Sequence, residues 1–196
     1  MVKISKKDSY FIIKASLFFA MVSMIFSFSG VLLADKTHLI NPLTHGTFDI
    51  KEIPGHFLWG FAAASATWRL KYALLGGAFA VLIDFDHAIS ILQIQGISHM
   101  SHSIAFAIIS LVVMMLTFGK KDYVLGAVAL SSVLTHISYD LFITNDKFPL
   151  FTPVYNKPVY FVSGYSIFFE IGAIIIIGIV TLFVRKNYSK AEKSPY

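Results

Sequence analysis

The sequence predicts an all-α polytopic membrane protein, a bundle of about six transmembrane helices with both termini cytoplasmic. Three observations carry this. Hydrophobic residues make up 56% of the 196 positions and charged residues 14%, against roughly 25% charged in soluble domains, and mean hydropathy is +0.71. The apolar residues come in long runs, each closed by charge or by loop-forming residues. The basic residues, which leave a net charge of +5, fall mostly on one side of those runs. The length suits a single membrane domain, 1–196. These values exclude a disordered chain, a coiled coil and an ordinary soluble enzyme. The chain has no cysteine, which excludes a disulfide framework, a thiolate metal site and a cysteine nucleophile.

A spanning helix needs about 20 mostly apolar residues. Residues 10–34 form the first such run, interrupted by Lys14 and preceded by Lys3, Lys6 and Lys7. A charged start and an apolar run also describe a signal peptide. This run is too long for one, and Leu32 stands where cleavage after Ala34 wants a small residue, so an anchor helix is expected. Residues 35–55 hold Asn41, Pro42, Gly46, Pro54 and Gly55, which signal a loop. Residues 56–70 are a short second run rich in Ala and Ser, closed by Arg69 and Lys71. Residues 72–95 are the third and contain Asp84, Asp86 and His87. Residues 103–118 are the fourth, ending at Gly119-Lys120-Lys121-Asp122. Residues 123–143 are the fifth, with His136 and Asp140 inside. A loop with Pro149, Pro153 and Pro158 leads to the last run, 161–184, which contains Glu170. A basic tail, 185–196, follows. The second run, 15 residues long, covers only about 22 Å and is the weakest span.

If all six runs cross and the N-terminus is cytoplasmic, 12 of the 16 Lys and Arg residues lie at the cytoplasmic side. The outer loops keep Lys36, Lys51, Lys147 and Lys157. That is the positive-inside pattern, and it accounts for the basic pI of about 9.3 without a nucleic-acid partner. Trp59, Tyr155, Tyr160 and Tyr165 then sit near the outer boundary, and Tyr10, Trp68, Tyr72 and Tyr123 near the inner one, as aromatic belts.

Ionisable groups inside a span cost about 2.5–3.5 kcal/mol for a central Asp even on a mild scale, so their default reading is functional. Counted at about 1.5 Å per helical residue, His56, Asp84, His87, His136, Asp140 and Glu170 all fall in the outer half of the bundle, with His99 and His102 at its outer edge. His136 and Asp140 are four apart and share a helix face, as do Asp84 and His87 at three apart. Imidazole and carboxylate donors without thiolate suit zinc, manganese or iron. Asp86 would point away from Asp84 in a regular helix. It is either an orienting partner for a ligating His or a sign that the helix breaks there. Glu170 remains open between a ligand, a helix–helix hydrogen bond and a proton relay. His38 and His45 read as solvated loop residues, and Gly76-Gly77 and Ala62-Ala63-Ala64 as close helix packing. The basic tail reads as a topology signal and lipid-headgroup contact.

Four features occur in order: His56 opening an Ala/Gly-rich helix; Asp84-Phe85-Asp86-His87 after a hydrophobic helix; Ser101-His102-Ser103; and His136-Ile137-Ser138-Tyr139-Asp140 followed by Phe148-Pro149-Leu150-Phe151-Thr152-Pro153. Over residues 55–155 this resembles the membrane-bound metal-dependent hydrolase family typified by YdjM, LexA-regulated in bacteria. The family's Thr-His-Ser is preceded by Arg-Gly, whereas this chain has Ser98-His99-Met100, so an Arg-based anion contact is not carried over. The resemblance extends distantly to zinc-dependent phospholipase C and single-strand nucleases, which build metal clusters from similar His-x-x-x-Asp pairs.

What the resemblance implies is a divalent transition metal, zinc ahead of manganese or iron, held by His56, Asp84, His87, His102, His136 and Asp140. Asp86 would orient a ligand or act as general base. The expected activity is hydrolysis of an ester or phosphoester, lipid-linked, at the outer face of the cell membrane, with membrane lipids as surroundings and substrate source. The competing expectation is a non-hydrolytic protein using the same cluster: a metal or proton transporter, or an accessory subunit of a membrane complex. The inner halves of the spans offer only Ser and Thr as a polar route, which counts against transport.

Overall fold

A computed structural model of the protein describes residues 4–32, 39–40, 51–86, 97–118, 121–143 and 146–192. Six helices dominate: α1 (Lys6–Ser29), α2 (Ile53–Ala64), α3 (Leu70–Leu82), α4 (Ile104–Thr117), α5 (Tyr123–Ile143) and α6 (Ser166–Glu192). Two short antiparallel ladders accompany them, β1 (Leu39–Ile40) with β2 (Ile97–Ser98) and β3 (Asp146–Phe148) with β4 (Val159–Phe161). The all-α class is as expected.

Local signals set the helix starts. Ser5 caps α1, its Oγ accepting from the Asp8 amide at 3.0 Å while its hydroxyl donates to Asp8 Oδ2 at 2.6 Å, so one free N–H of the first turn is satisfied. Pro54 occupies the first turn of α2, where its missing N–H costs nothing. Ser103 Oγ accepts from the Phe106 amide and starts α4. Asp122 Oδ1 accepts from the Leu125 amide and starts α5.

Among the described residues, three segments are long and apolar enough to cross a membrane by themselves: α1, α5 and Ser163–Asn187. The helices described at the expected second, third and fourth spans are shorter. Helices α2, α3 and α4 have 12, 13 and 14 residues, about 18–21 Å each. The reasons are local. Helix α2 tightens into a 3-10 turn at Ser65–Thr67 and ends at Trp68, whose φ of 58° is left-handed. Helix α3 stops at Leu82, and residues 83–86 wind more tightly as 3-10. At the C-terminus the helix continues through Arg185 and Lys186 to Glu192, into what the sequence suggested was a polar tail.

Helix α5 is the axis. It is buried along most of its length, from Leu125 to Leu141, and packs against α2, α3, α4 and α6. Helix α1 lies against α3 and α4, with Phe19 stacked on Phe79 at 4.3 Å. Helices α2 and α3 touch backbone to backbone: a Cβ on Gly60 or Gly76 would collide with the other's carbonyl, and one on Gly76 with Ala64 Cβ. This is the small-residue packing expected of a membrane bundle, where association rests on close fit. Helix α6 exposes Ile171, Ile175, Ile179, Leu182 and Phe183, an apolar face suited to lipid.

Successive helices alternate in direction. At one end Tyr72 donates to Asp122 Oδ2 at 2.7 Å and Arg185 to the Thr67 carbonyl at 3.3 Å. Lys71 Nζ lies 5.1 Å from the centre of the Phe11 ring, within cation–π range. Lys6, Lys7, Arg69, Lys121 and Lys186 belong to that end too, by their places in these elements. His56, Asp84, Asp86, His99, His102, His136 and Asp140 gather at the other.

Candidate metal centre

Each ligand candidate is delivered by a helix end. His56 lies in the first turn of α2, Asp84 in the turn beyond α3, and His102 closes the 3-10 turn before α4. His136 and Asp140 stand one turn apart near the end of α5. Two of these segments are not α-helical, which a membrane bundle tolerates where the backbone is buried in protein. Ser101, His102 and Ser103 are buried accordingly.

The five side chains converge. Asp84 Oδ1 is 3.3 Å from both His102 Nε2 and His136 Nε2, and Asp84 Oδ2 is 3.4 Å from His56 Nε2. Asp140 Oδ1 is 3.3 Å from His56 Nε2, and its Oδ2 is 3.2 Å from His136 Nε2. Ligands about 2.0–2.1 Å from a zinc ion at tetrahedral corners are roughly 3.3–3.4 Å apart. The five carboxylate–imidazole edges therefore match those of a coordination shell.

The hydrogen-bond network supplies an independent test. His136 Nδ1–H donates to the Ala80 carbonyl at 2.8 Å, so its Nε2 carries a lone pair. Ser101 gives its proton to Asp86 Oδ2 at 3.0 Å. Ser101 Oγ is then an acceptor for His102 Nδ1–H at 3.1 Å, and His102 Nε2 also carries a lone pair. The two Nε2 atoms meet at 2.8 Å among carboxylate oxygens, and in the neutral rings neither carries a proton. Neither ring nitrogen of His56, which is 1% exposed, has a hydrogen-bond partner among the described residues. A buried, donor-poor set of imidazole nitrogens and carboxylate oxygens fits a divalent cation.

The sequence profile of the YdjM inner membrane protein family matches residues 51–194. The chain belongs to that family. It is accordingly an integral inner membrane protein, in keeping with its apolar helices. The YdjM match runs from ahead of α2 to the far end of α6. It takes in every ligand candidate and extends the resemblance on residues 55–155 to the helix bearing Glu170, leaving α1 and β1 outside. No curated protein and no solved structure matches the chain.

Within this YdjM chain, His56, Asp84, His102, His136 and Asp140 come together as the motifs suggested. His87, His38 and His45 lie outside the described residues. Asp86 stands behind the cage, not in it. It is fully buried, accepts from Ser27 Oγ at 2.8 Å and from Ser101, and lies 3.6 Å from His99 Nδ1. Burial opposes the imidazolium form of His99, yet the facing Asp86 carboxylate, with Asp84 and Asp140 beyond, brings its pKa above the ordinary value. A second group capable of holding an ion, Asp86, His99 and His102, thus adjoins the first. Ser101 entered the sequence reading only as part of the Ser101-His102-Ser103 motif, and Ser27 was not singled out. A serine in an apolar run can bond its own helix backbone as well as serve a site, so the residue type of Ser27 carried no signal. Glu170 stands apart, on α6.

The two carboxylates are the more accessible members of the cage. The side chains of His56, His102 and His136 are 0–5% exposed, those of Asp84 and Asp140 15% and 17%. His136 lies parallel to His56 at 4.1 Å, and Tyr139 meets His56 edge-on at 4.7 Å.

Proposed function

We propose that this protein is a membrane-embedded, metal-dependent hydrolase of an ester or phosphoester carried on a lipid, working at the outer face of the inner membrane with both termini cytoplasmic. The observation that carries this reading is the meeting of two imidazole lone pairs with two carboxylates at coordination-shell spacing. His56, Asp84, His102, His136 and Asp140 would hold a divalent transition ion, zinc by its donor set, with His87 as the further ligand the family motif suggests. When bound, such an ion polarises an ester or phosphoryl oxygen and acidifies water.

The chain's own residues do the rest. Ala80 and Ser101 fix the His136 and His102 tautomers, so that both rings present acceptors. Asp86 anchors Ser101 from behind and serves as an orienting group. The partly exposed edges of Asp84 and Asp140 mark the side from which substrate approaches. A centre at the ends of membrane helices lies near headgroup level, which suits a lipid ester better than a bulky polar substrate.

The test is release of product from a panel of lipid esters and phosphoesters by the purified protein, its metal content measured alongside. Hydrolysis by the parent and its loss in Asp84→Asn and His136→Ala are expected. A fully loaded parent that cleaves none of the panel would leave the metal centre and remove the hydrolase.

A further inference from the structure

Helix α5 has a second working face. Ser138 lies midway between His136 and Asp140 in sequence, about 200° around the helix from His136, and so points away from the cage. Ser138 and Phe142 of α5, Trp59 of α2, and Ser166 and Glu170 of α6 line a cavity of about 430 Å³. The Ser138 hydroxyl donates to the Ser166 carbonyl at 2.8 Å and ties the two helices together at its edge. Trp59 and Phe142 pack ring to ring at 5.0 Å to make an aromatic wall. Glu170 is the only ionisable residue among those lining the cavity; the Ser138 hydroxyl faces its carboxyl group, and its Oε2 is buried without a hydrogen-bond partner among the described residues. It sits one turn into α6, between Phe169 and Ile171 in a run that is otherwise uncharged as far as Arg185.

A carboxylate here is expensive unless something pairs with it, and the lining offers no Lys, Arg or His. Carboxylate, aromatic faces and an apolar chamber together are the chemistry that recognises an ammonium group carrying a hydrocarbon tail: opposite charge for the head, ring faces for cation–π attraction, apolar walls for the chain. We propose that this cavity binds an ammonium amphiphile, with Glu170 as counter-charge and Trp59 and Phe142 as the aromatic wall. The ligand enters from the surrounding lipid, either as a bilayer lipid with an amine headgroup or as a free long-chain amine. The site lies across α5 from the metal cage and stands whether or not hydrolysis is found.

Trp59 reports on it directly. The other tryptophan, Trp68, is 78% exposed and can be replaced by Phe, which leaves Trp59 as the sole indole. In that background the protein is placed in nanodiscs of ethanolamine-headgroup or glycerol-headgroup phospholipid, and separately titrated in detergent with dodecylamine. The expected result is a saturable change in Trp59 emission with dodecylamine, weakened at least tenfold in Glu170→Gln and severalfold in Phe142→Leu, with bound metal unchanged in both. The same change in ethanolamine but not glycerol nanodiscs identifies the lipid as the source; a change with dodecylamine alone identifies the free amine. Equal responses in parent and Glu170→Gln, or no saturable response in the parent, overturn the proposal. Should Glu170→Gln fail to fold, an undiminished response in Phe142→Leu overturns it equally.

Discussion

The Nε2 atoms of His102 and His136 face one another at 2.8 Å, and the remaining nitrogen of each ring is already engaged as a donor. With both rings neutral these are two lone pairs, which repel unless a positive charge, a metal ion or a ring proton, lies against them. We expect the purified chain to carry one or two divalent transition ions, measurable by elemental analysis after purification without chelators. A ligand at about 100 times its Kd stabilises a protein by about 2.7 kcal/mol. EDTA should therefore lower the melting temperature by roughly 5 °C or more, reversed on adding zinc. Zero metal and no response to zinc or manganese would dismantle the centre.

Asp140 and His102 reach the cage from different helices yet serve the same atoms. His102→Ala and Asp140→Asn should each remove most bound metal, and the double variant should lose little more, because ligands of one centre are non-additive. Separate packing pairs would instead give additive losses of stability. Metal content and thermal melts on the four proteins decide between them.

Ser27 of α1 donates to Asp86 at 2.8 Å, two bonds behind His102. Loss of a group that orients a ligand typically lowers metal affinity about 10- to 100-fold. Ser27→Ala should do so in a competition titration with a chromophoric chelator, while Ser29→Ala, whose hydroxyl donates to the Phe26 carbonyl of its own helix, should not.

Gly60 and Gly76 hold α2 against α3 with no room for a methyl group, whereas a Cβ on Gly178 meets nothing. Gly60→Ala should cost about 1–3 kcal/mol through overpacking. Gly178→Ala should be neutral or gain up to about 1 kcal/mol from helix propensity. Denaturation of the two variants in detergent measures the contrast.

Orientation follows from charge. With no native cysteine, single cysteines at Ser5, Thr47, Lys121 and Asn156 can be probed in intact cells with a membrane-impermeant thiol reagent. Thr47→Cys and Asn156→Cys should label, and Ser5→Cys and Lys121→Cys should not. The reverse pattern would invert the topology.

Much of the cage was legible because helical spacing is local. A separation of four positions is enough to put His136 and Asp140 on one face, and alternation of apolar runs brings His56, Asp84 and His102 to the same end. The lengths of α2 and α3 were not legible. Hydropathy runs on past Leu82, but the chain there changes from α to 3-10 winding, which sends Asp84 to the cage and Asp86 to its support. Ser27 was hidden for another reason. Its partners are Asp86 and Ser101, far along the chain, and no local pattern in α1 encodes a contact made at that distance.

The scattered ligands also impose a schedule. A chain leaves the ribosome from its N-terminus, and His56, Asp84 and His102 are in place while α5 has yet to be made. Only when α5 arrives do His136 and Asp140 close the cage. Any ion that the complete cage holds is therefore captured late in biogenesis: a chain stalled before α5 has three of the five gathered side chains and no finished shell.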